Sequence, residues 1–268
     1  MGSIVGLRKG DQQAGRATNR RLILNLLRTR GQLSRSQLSQ LTGLSPAATG
    51  FVAKELLDDG YLVSGEPESE RAGRKRVPLA LNTVENFAIG VHLSVGKVDC
   101  VLTDLAANVV VHETVDTESM DPEVVVAAAK AAVARVIQSK PEGARTLGVG
   151  LAGPGVFDPV AKSCVRNFRF GWKDVPIGTM LADAIQLPVS VENDTRACGI
   201  AHQLFGLGKN RESFLMVAIG AGIGCAMIQQ DHVLRAMPGK MGEVGHILAA
   251  EDGPICECGR KGCLQTLY

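Results

Sequence analysis

Aromatic residues are scarce in this chain: one Trp, two Tyr and seven Phe, 4% of 268 residues. An aromatic-rich β-sandwich is thereby disfavoured, and the 31 glycines suit the close turns of an α/β core. No apolar run approaches the roughly 20 residues that a membrane-spanning helix needs, so no membrane insertion is expected. The N-terminal cations Arg8, Lys9, Arg16, Arg20 and Arg21 precede no apolar signal region, so a cytoplasmic location is expected. Seven cysteines, an odd number without an export signal, argue for reduced thiols, some of them metal-bound. Net charge is also small, at +2, but it is unevenly spread. Residues 1–80 carry 13 Lys/Arg against 7 Asp/Glu, a balance of +6, and residues 81–268 carry 16 against 20, a balance of −4. Such a split suggests a basic nucleic-acid-binding head on a near-neutral body, with a merely solvated basic face as the alternative.

The pattern in residues 18–80 favours the first reading. Ile23, Leu26 and Leu27 recur at helical spacing over Asn19–Arg30, and Gly31 stops the run. Ser34-Arg35-Ser36-Gln37 has the form of a capping box opening a short helix through Leu38 and Leu41. Thr42-Gly43-Leu44 makes a turn, and Ser45-Pro46 starts a third helix with Ser45 as its cap. That helix is expected to turn Phe51, Val52, Leu56 and Leu57 inward and Ala47, Thr49, Gly50 and Lys54 outward. Two short helices about a glycine turn predict a helix-turn-helix whose second helix enters the major groove. A strand at Tyr61-Leu62-Val63, a polar hairpin and the cations Arg71, Arg74, Lys75 and Arg76 then predict a basic wing along the phosphates or in the minor groove. The DNA contacts expected are Ser45, Ala47, Thr49, Lys54 and those four wing cations. An all-helical hairpin that binds protein is the competing reading.

From Phe87 the texture changes to three short strands, Ala88–Leu93, Val98–Leu102 and Val109–His112. An Ala/Val-rich helix over Pro122–Gln138 and a strand at Leu147–Leu151 follow. A strand meander, a helix and a further strand predict a mixed-sheet α/β domain. His246, Cys256, Cys258 and Cys263 have the spacing His-x9-Cys-x-Cys-x4-Cys, and three thiolates with one imidazole make a closed tetrahedral set for structural zinc. Free thiols in a turn are the alternative. Cys100, Cys164, Cys198 and Cys225 stand in apolar stretches and are expected in the core.

Four body segments carry a family resemblance: Gly148-Val149-Gly150-Leu151-Ala152-Gly153-Pro154-Gly155, Val191-Glu192-Asn193-Asp194, Gly242-Glu243-Val244-Gly245-His246, and Cys256 through Cys263. In this order behind a winged helix, they resemble the ROK family (repressors, open reading frames and sugar kinases), and in particular its transcriptional repressors. The resemblance implies an actin-like, ribonuclease H-like body of two lobes with a sugar or sugar phosphate bound between them. It implies sugar contacts at Asn193, Asp194, Glu243 and His246, with Asp194 matching the base of the family's kinases. Gln265 stands where the family has a further sugar-contacting glutamate.

Where similar kinases carry Asp-x-Gly-Gly-Thr for ATP, this chain reads His92-Leu93-Ser94-Val95-Gly96. A phosphate cradle depends on exposed glycine N–H groups and a cation site, so kinase activity is not expected. Gly220-Ala221-Gly222-Ile223-Gly224 keeps more of the second phosphate loop. A regulator binding operator DNA as a homodimer or tetramer is the expectation, and some relatives answer to a sugar-transporter protein. The alternative is a zinc-containing sugar kinase that phosphorylates a hexose with ATP. Expected boundaries are a flexible basic segment at 1–17, a winged helix-turn-helix at 18–80, a first lobe at about 84–190 and a second lobe at about 191–268. Similar repressors continue past the position of Tyr268, so the second lobe is expected to be incomplete, the chain being a fragment or a naturally shortened product.

Overall fold

The computed structural model describes residues 9–66, 77–209, 211–229, 232–235 and 242–267. The chain divides into two compact units, Met1–Asn86 and Phe87–Tyr268. No helix among the described residues is long and apolar enough to cross a membrane.

The first unit contains α1 (Lys9–Arg30), β1 (Leu33–Ser34), α2 (Arg35–Thr42), α3 (Pro46–Asp58), β2 (Leu62–Ser64) and β3 (Pro78–Leu81). The three strands form an antiparallel sheet in the order β1-β3-β2, the arrangement of a winged helix. The predicted caps are present. Ser34 Oγ accepts from the Gln37 N–H while the Gln37 side chain takes the Ser34 N–H, and Ser45 Oγ accepts from the Ala48 N–H at 3.2 Å. Gly43 closes α2 at φ 70°, a left-handed conformation that a side chain would strain, and its N–H donates to Ser39 O. Ile23, Leu27, Leu38, Val52, Leu56 and Leu79 are buried in the core of this unit.

One expectation is corrected at the N-terminus. The segment expected to be flexible is helical from Lys9 onward, because the run to Arg21 holds no proline and is rich in Gln, Ala and Arg. Those residues extend a helix that Ile23 and Leu27 anchor.

The second unit starts with an antiparallel meander, β4 (Asn86–Ser94), β5 (Lys97–Asp104) and β6 (Val109–Asp116). After α4 (Pro122–Gln138), β7 (Arg145–Gly153) enters the same sheet. A small antiparallel sheet follows, β8 (Val156–Asp158), β9 (Ser163–Asn167) and β10 (Trp172–Val175). Then come α5 (Ile177–Ile185), β11 (Val189–Asn193) and α6 (Asp194–Leu204). Strand β11 lies parallel to β7, completing the order β11-β7-β4-β5-β6. Asn193 therefore still belongs to this first sheet, and the expected lobe boundary near 190 falls inside a strand. Helix α6 packs on a second antiparallel sheet, β12 (Ser213–Ile219), β13 (Ile223–Gln229) and β14 (His232–Val233). The apolar core lies between the five-stranded sheet and α4 and α5, with Ile89, Leu102, Val133, Leu151, Leu181 and Val191 buried. Cys100, Cys164 and Cys225 are in the core, whereas Cys198 is exposed on α6, against expectation.

Candidate nucleic-acid interface and metal centre

Helix α3 follows α2 across the turn at Gly43, and its outward stripe is Ala47, Gly50, Phe51, Lys54 and Asp58, all exposed except the half-buried Gly50. Its inward stripe is Thr49, Val52, Ala53 and Leu56, all buried. Two expectations are thereby exchanged: Thr49 faces the core and Phe51 faces outward at 57% exposure. The spacing i, i+3, i+4, i+7 over 49, 52, 53 and 56 carried this signal, but hydrophobicity alone drew Phe51 inward. Ser45 is exposed, with its hydroxyl engaged in capping, and Lys54 is fully available on the outer stripe. Arg71, Arg74, Lys75 and Arg76 lie outside the described residues.

Arginines that sequence spacing did not reveal also meet this helix. Arg16 pairs with Glu55, and Arg20 with Asp59 at 2.6 Å, each across 39 residues. Thr49 Oγ1 is buried without a hydrogen-bond partner among the described residues. Since an unsatisfied buried hydroxyl costs about 1–3 kcal/mol, Thr49→Val is expected to raise stability by about 1 kcal/mol in urea unfolding. DNA affinity should stay unchanged if Thr49 is core rather than contact.

In the second unit, Asn193 ends β11 and caps α6. Its Oδ1 accepts from the Arg196 N–H at 3.1 Å, and its Nδ2 donates to Gly155 O at 3.0 Å. Capping thus falls to Asn193, which leaves Asp194 on the first turn of α6 with Oδ1 accepting from the Thr195 N–H at 2.6 Å. Glu192 is held by Arg235 at 2.5 Å and faces Arg196 at 3.6 Å. Burial pushes the Glu243 carboxyl up, an effect opposed by His246 and Arg196 and reinforced by Asp194. Glu243 is therefore within electrostatic reach of both Asp194 and His246. His246 closes the one-turn helix Val244–His246, and its Nε2 lies 3.8 Å from Glu243 Oε2.

The other imidazole nitrogen faces the cysteines. His246 Nδ1 is 3.4 Å from Cys256 Sγ, Cys258 Sγ is 3.7 Å from Cys263 Sγ, and the four ligand atoms all lie within 4.8 Å of one another. A tetrahedral zinc ion with Zn–S bonds of ~2.3 Å keeps its donors about 3.5–3.8 Å apart, so this donor set fits one. Two short bridges, Leu248 to Cys263 and Ile255 to Lys261, fold the segment on itself. Gly262, at φ 68°, passes so close to Ala250 O that a Cβ would collide with it. Burial opposes ionisation of Cys258, but N–H groups of Arg260 and the neighbouring thiols hold it low, at about 6. Cys263 is pushed up to about 11 by burial and by the thiols beside it. By contrast, burial raises Cys100 and Cys164 to about 12, as suits inert core thiols.

Gln265 joins this group, donating to Cys256 Sγ at 3.3 Å and to Glu257 Oε1 at 3.1 Å. Glu257 in turn accepts from Arg169 Nε at 2.9 Å, while Arg169 Nη2 donates to Ala221 O in the glycine loop between β12 and β13. Arg169 lies in the hairpin between β9 and β10, far from both partners in sequence, and no spacing pattern announced it. The stretch His92–Gly96 is the plain end of the β4–β5 hairpin. His92 there lies 3.9 Å from Asp99, which also accepts from Thr114 Oγ1 at 2.7 Å.

Comparison with known proteins agrees with both units. Residues 88–268 match the profile of the ROK family, and residues 16–63 match that of a winged helix-turn-helix DNA-binding domain. The xylose repressor of Bacillus subtilis is 28% identical over 94% of this chain and 66% of its own length. The chain thus spans just under two thirds of that relative. A ROK family transcriptional regulator, a homologue of the Escherichia coli MLC protein, superposes with a TM-score of 0.79 at 26% identity, over 94% of this chain and 64% of its own. A ROK family glucokinase from Streptomyces griseus, in complex with glucose and AMPPNP, gives 0.60 at 28% identity over 67% of this chain and 56% of its own.

Proposed function

The chain belongs to the ROK family, and from that premise we propose that it is a sugar-responsive transcriptional repressor. The observation that carries this reading is the union, in one chain, of a winged helix-turn-helix with a ROK body. Likeness to a xylose repressor and to a ROK transcriptional regulator over nearly the whole chain supports it. In this reading α3 enters the major groove, and two copies bind half-sites about 34 Å apart. Ser45, Ala47 and Lys54 lie at that surface, with the wing cations Arg71, Arg74, Lys75 and Arg76 along the backbone.

The effector, a sugar or sugar phosphate, binds against Asp194, Glu243 and His246, with Asn193 and Gln265 at the edges. An effector that favours one arrangement of the dimer changes operator affinity by its differential affinity for the two. Zinc held by His246, Cys256, Cys258 and Cys263 would supply rigidity, with no open position for chemistry. His246, with Nδ1 toward the thiols and Nε2 toward Glu243, is the element through which that rigidity reaches the sugar.

The likeness to a glucokinase favours one second reading, a ROK sugar kinase with Asp194 as base. Against it stand His92, Ser94 and Gly96, which replace the carboxylate, glycine and hydroxyl of the phosphate-binding segment. The test is to incubate the purified chain with sheared genomic DNA of its source, with and without a panel of sugars, and to sequence what it retains. Enrichment of a two-fold motif that one sugar abolishes or strengthens supports the repressor. Absence of enrichment together with sugar-dependent ATP consumption lost in Asp194→Asn supports the kinase.

A further inference from the structure

We propose that Phe51 reads a base pair by packing its ring on the C5-methyl group of a thymine in the major groove, an inference that rests on the repressor reading above. The two ends of α3 differ in charge. Glu55, Asp58 and Asp59 crowd its C-terminal end, two of them engaged by arginines, while its first turn holds no acid and carries the positive end of the helix dipole. Arg16 and Arg20 come from α1 to pair with Glu55 and Asp59, so these two cations serve the acidic end instead of being left for DNA. The N-terminal half of α3 is therefore the half that approaches the duplex.

On that half the outward residues are Ala47, Gly50 and Phe51. Ala47 and Gly50 are small, and a Cβ added at Gly50 would meet nothing within 4 Å, so the helix can sit deep in the groove. Within that half Phe51 is then the one large outward side chain, 57% exposed and one turn ahead of Glu55, with Lys54 beside it on the same stripe. A phenyl ring neither donates nor accepts a hydrogen bond. Among the groups on major-groove base edges it matches only the thymine methyl. Its orientation is also constrained: the Arg16 guanidinium lies over the ring, 5.4 Å from the centroid, and Arg16 Nε donates to Glu55 at 3.0 Å.

The full 268-residue chain is allowed to select a preferred duplex from a random pool, and each thymine is then replaced singly by deoxyuridine, which deletes only the methyl. At one position per half-site, affinity should fall about fourfold, as burial of a single methyl implies. Phe51→Ala should bind the thymine and deoxyuridine duplexes equally, Phe51→Leu should keep part of the preference, and a duplex of unrelated sequence should bind all three chains alike. Circular dichroism and melting of Phe51→Ala confirm that the unit remains folded. A methyl effect of equal size in wild type and Phe51→Ala, or none at any thymine, overturns the proposal while leaving the repressor reading intact. Failure of the wild-type chain to select any duplex overturns both.

Discussion

Cys263→Ser is expected to cost the protein its metal and, with it, most of its response to sugar. Metal analysis of the purified wild type should give about one zinc per chain, and the variant close to none, because a closed four-ligand site tolerates loss of a thiolate poorly. The segment from Gly242 to Leu267 has little regular structure to fall back on: two one-turn helices and two isolated bridges. With zinc as proposed, its folding is expected to depend on the donor cluster, and amide exchange there should rise in the variant to that of an open loop. Sugar affinity, measured by calorimetry, should fall by at least about tenfold, since His246 is no longer aimed by its Nδ1 partner. Chelation of the wild type should reproduce both effects. Unchanged sugar affinity in the metal-free chain would separate the metal from sensing. With thiolates as the proposed ligands, occupancy should fall as pH is lowered, and Cys263, raised to about 11, must give up its proton to the metal.

The second large effect is expected at the other end of the chain. Leu56→Ala removes a fully buried side chain from the small core that also holds Ile23, Leu38 and Leu79. Truncations of this kind cost about 2–5 kcal/mol, most of what a domain of this size has to spare. DNA binding should be lost at 37 °C, and the fluorescence of Trp172, buried in the second unit, should melt as in wild type. Zinc content should also be unaffected. Retained DNA binding would contradict the expected cost of the truncation, and a shift in the Trp172 transition the division into Met1–Asn86 and Phe87–Tyr268.

Local signals were the most legible part of this chain. Ser34 with Gln37, Gly43 and Ser45-Pro46 specify caps and turns through contacts within three or four residues, and each is found where it was expected. Helix α4 matches the predicted Pro122–Gln138, although the Asp121 side chain makes no cap bond. The cysteine cluster was legible for a similar reason: its three thiols lie within eight residues, and glycines let the chain fold back. The facing of Thr49 and Phe51 follows helical phase rather than residue type, since 49, 52, 53 and 56 share the buried face of α3.

The Arg16–Glu55, Arg20–Asp59, Arg169–Glu257 and Arg235–Glu192 pairs were invisible from sequence. A charged side chain carries no mark of its partner, and these partners are 39 to 88 residues away.

By itself, then, the sequence determined the helix-turn-helix, the His/Cys cluster that could hold a metal and the family, because each rests on short-range spacing of chemically distinctive residues. Only the tertiary structure decided which nitrogen of His246 faces the thiols, that Asn193 rather than Asp194 caps α6, and which side of α3 carries Phe51. Those outcomes depend on how strands and helices distant in the chain pack together, and packing is settled by complementary surfaces rather than by any local run of residues.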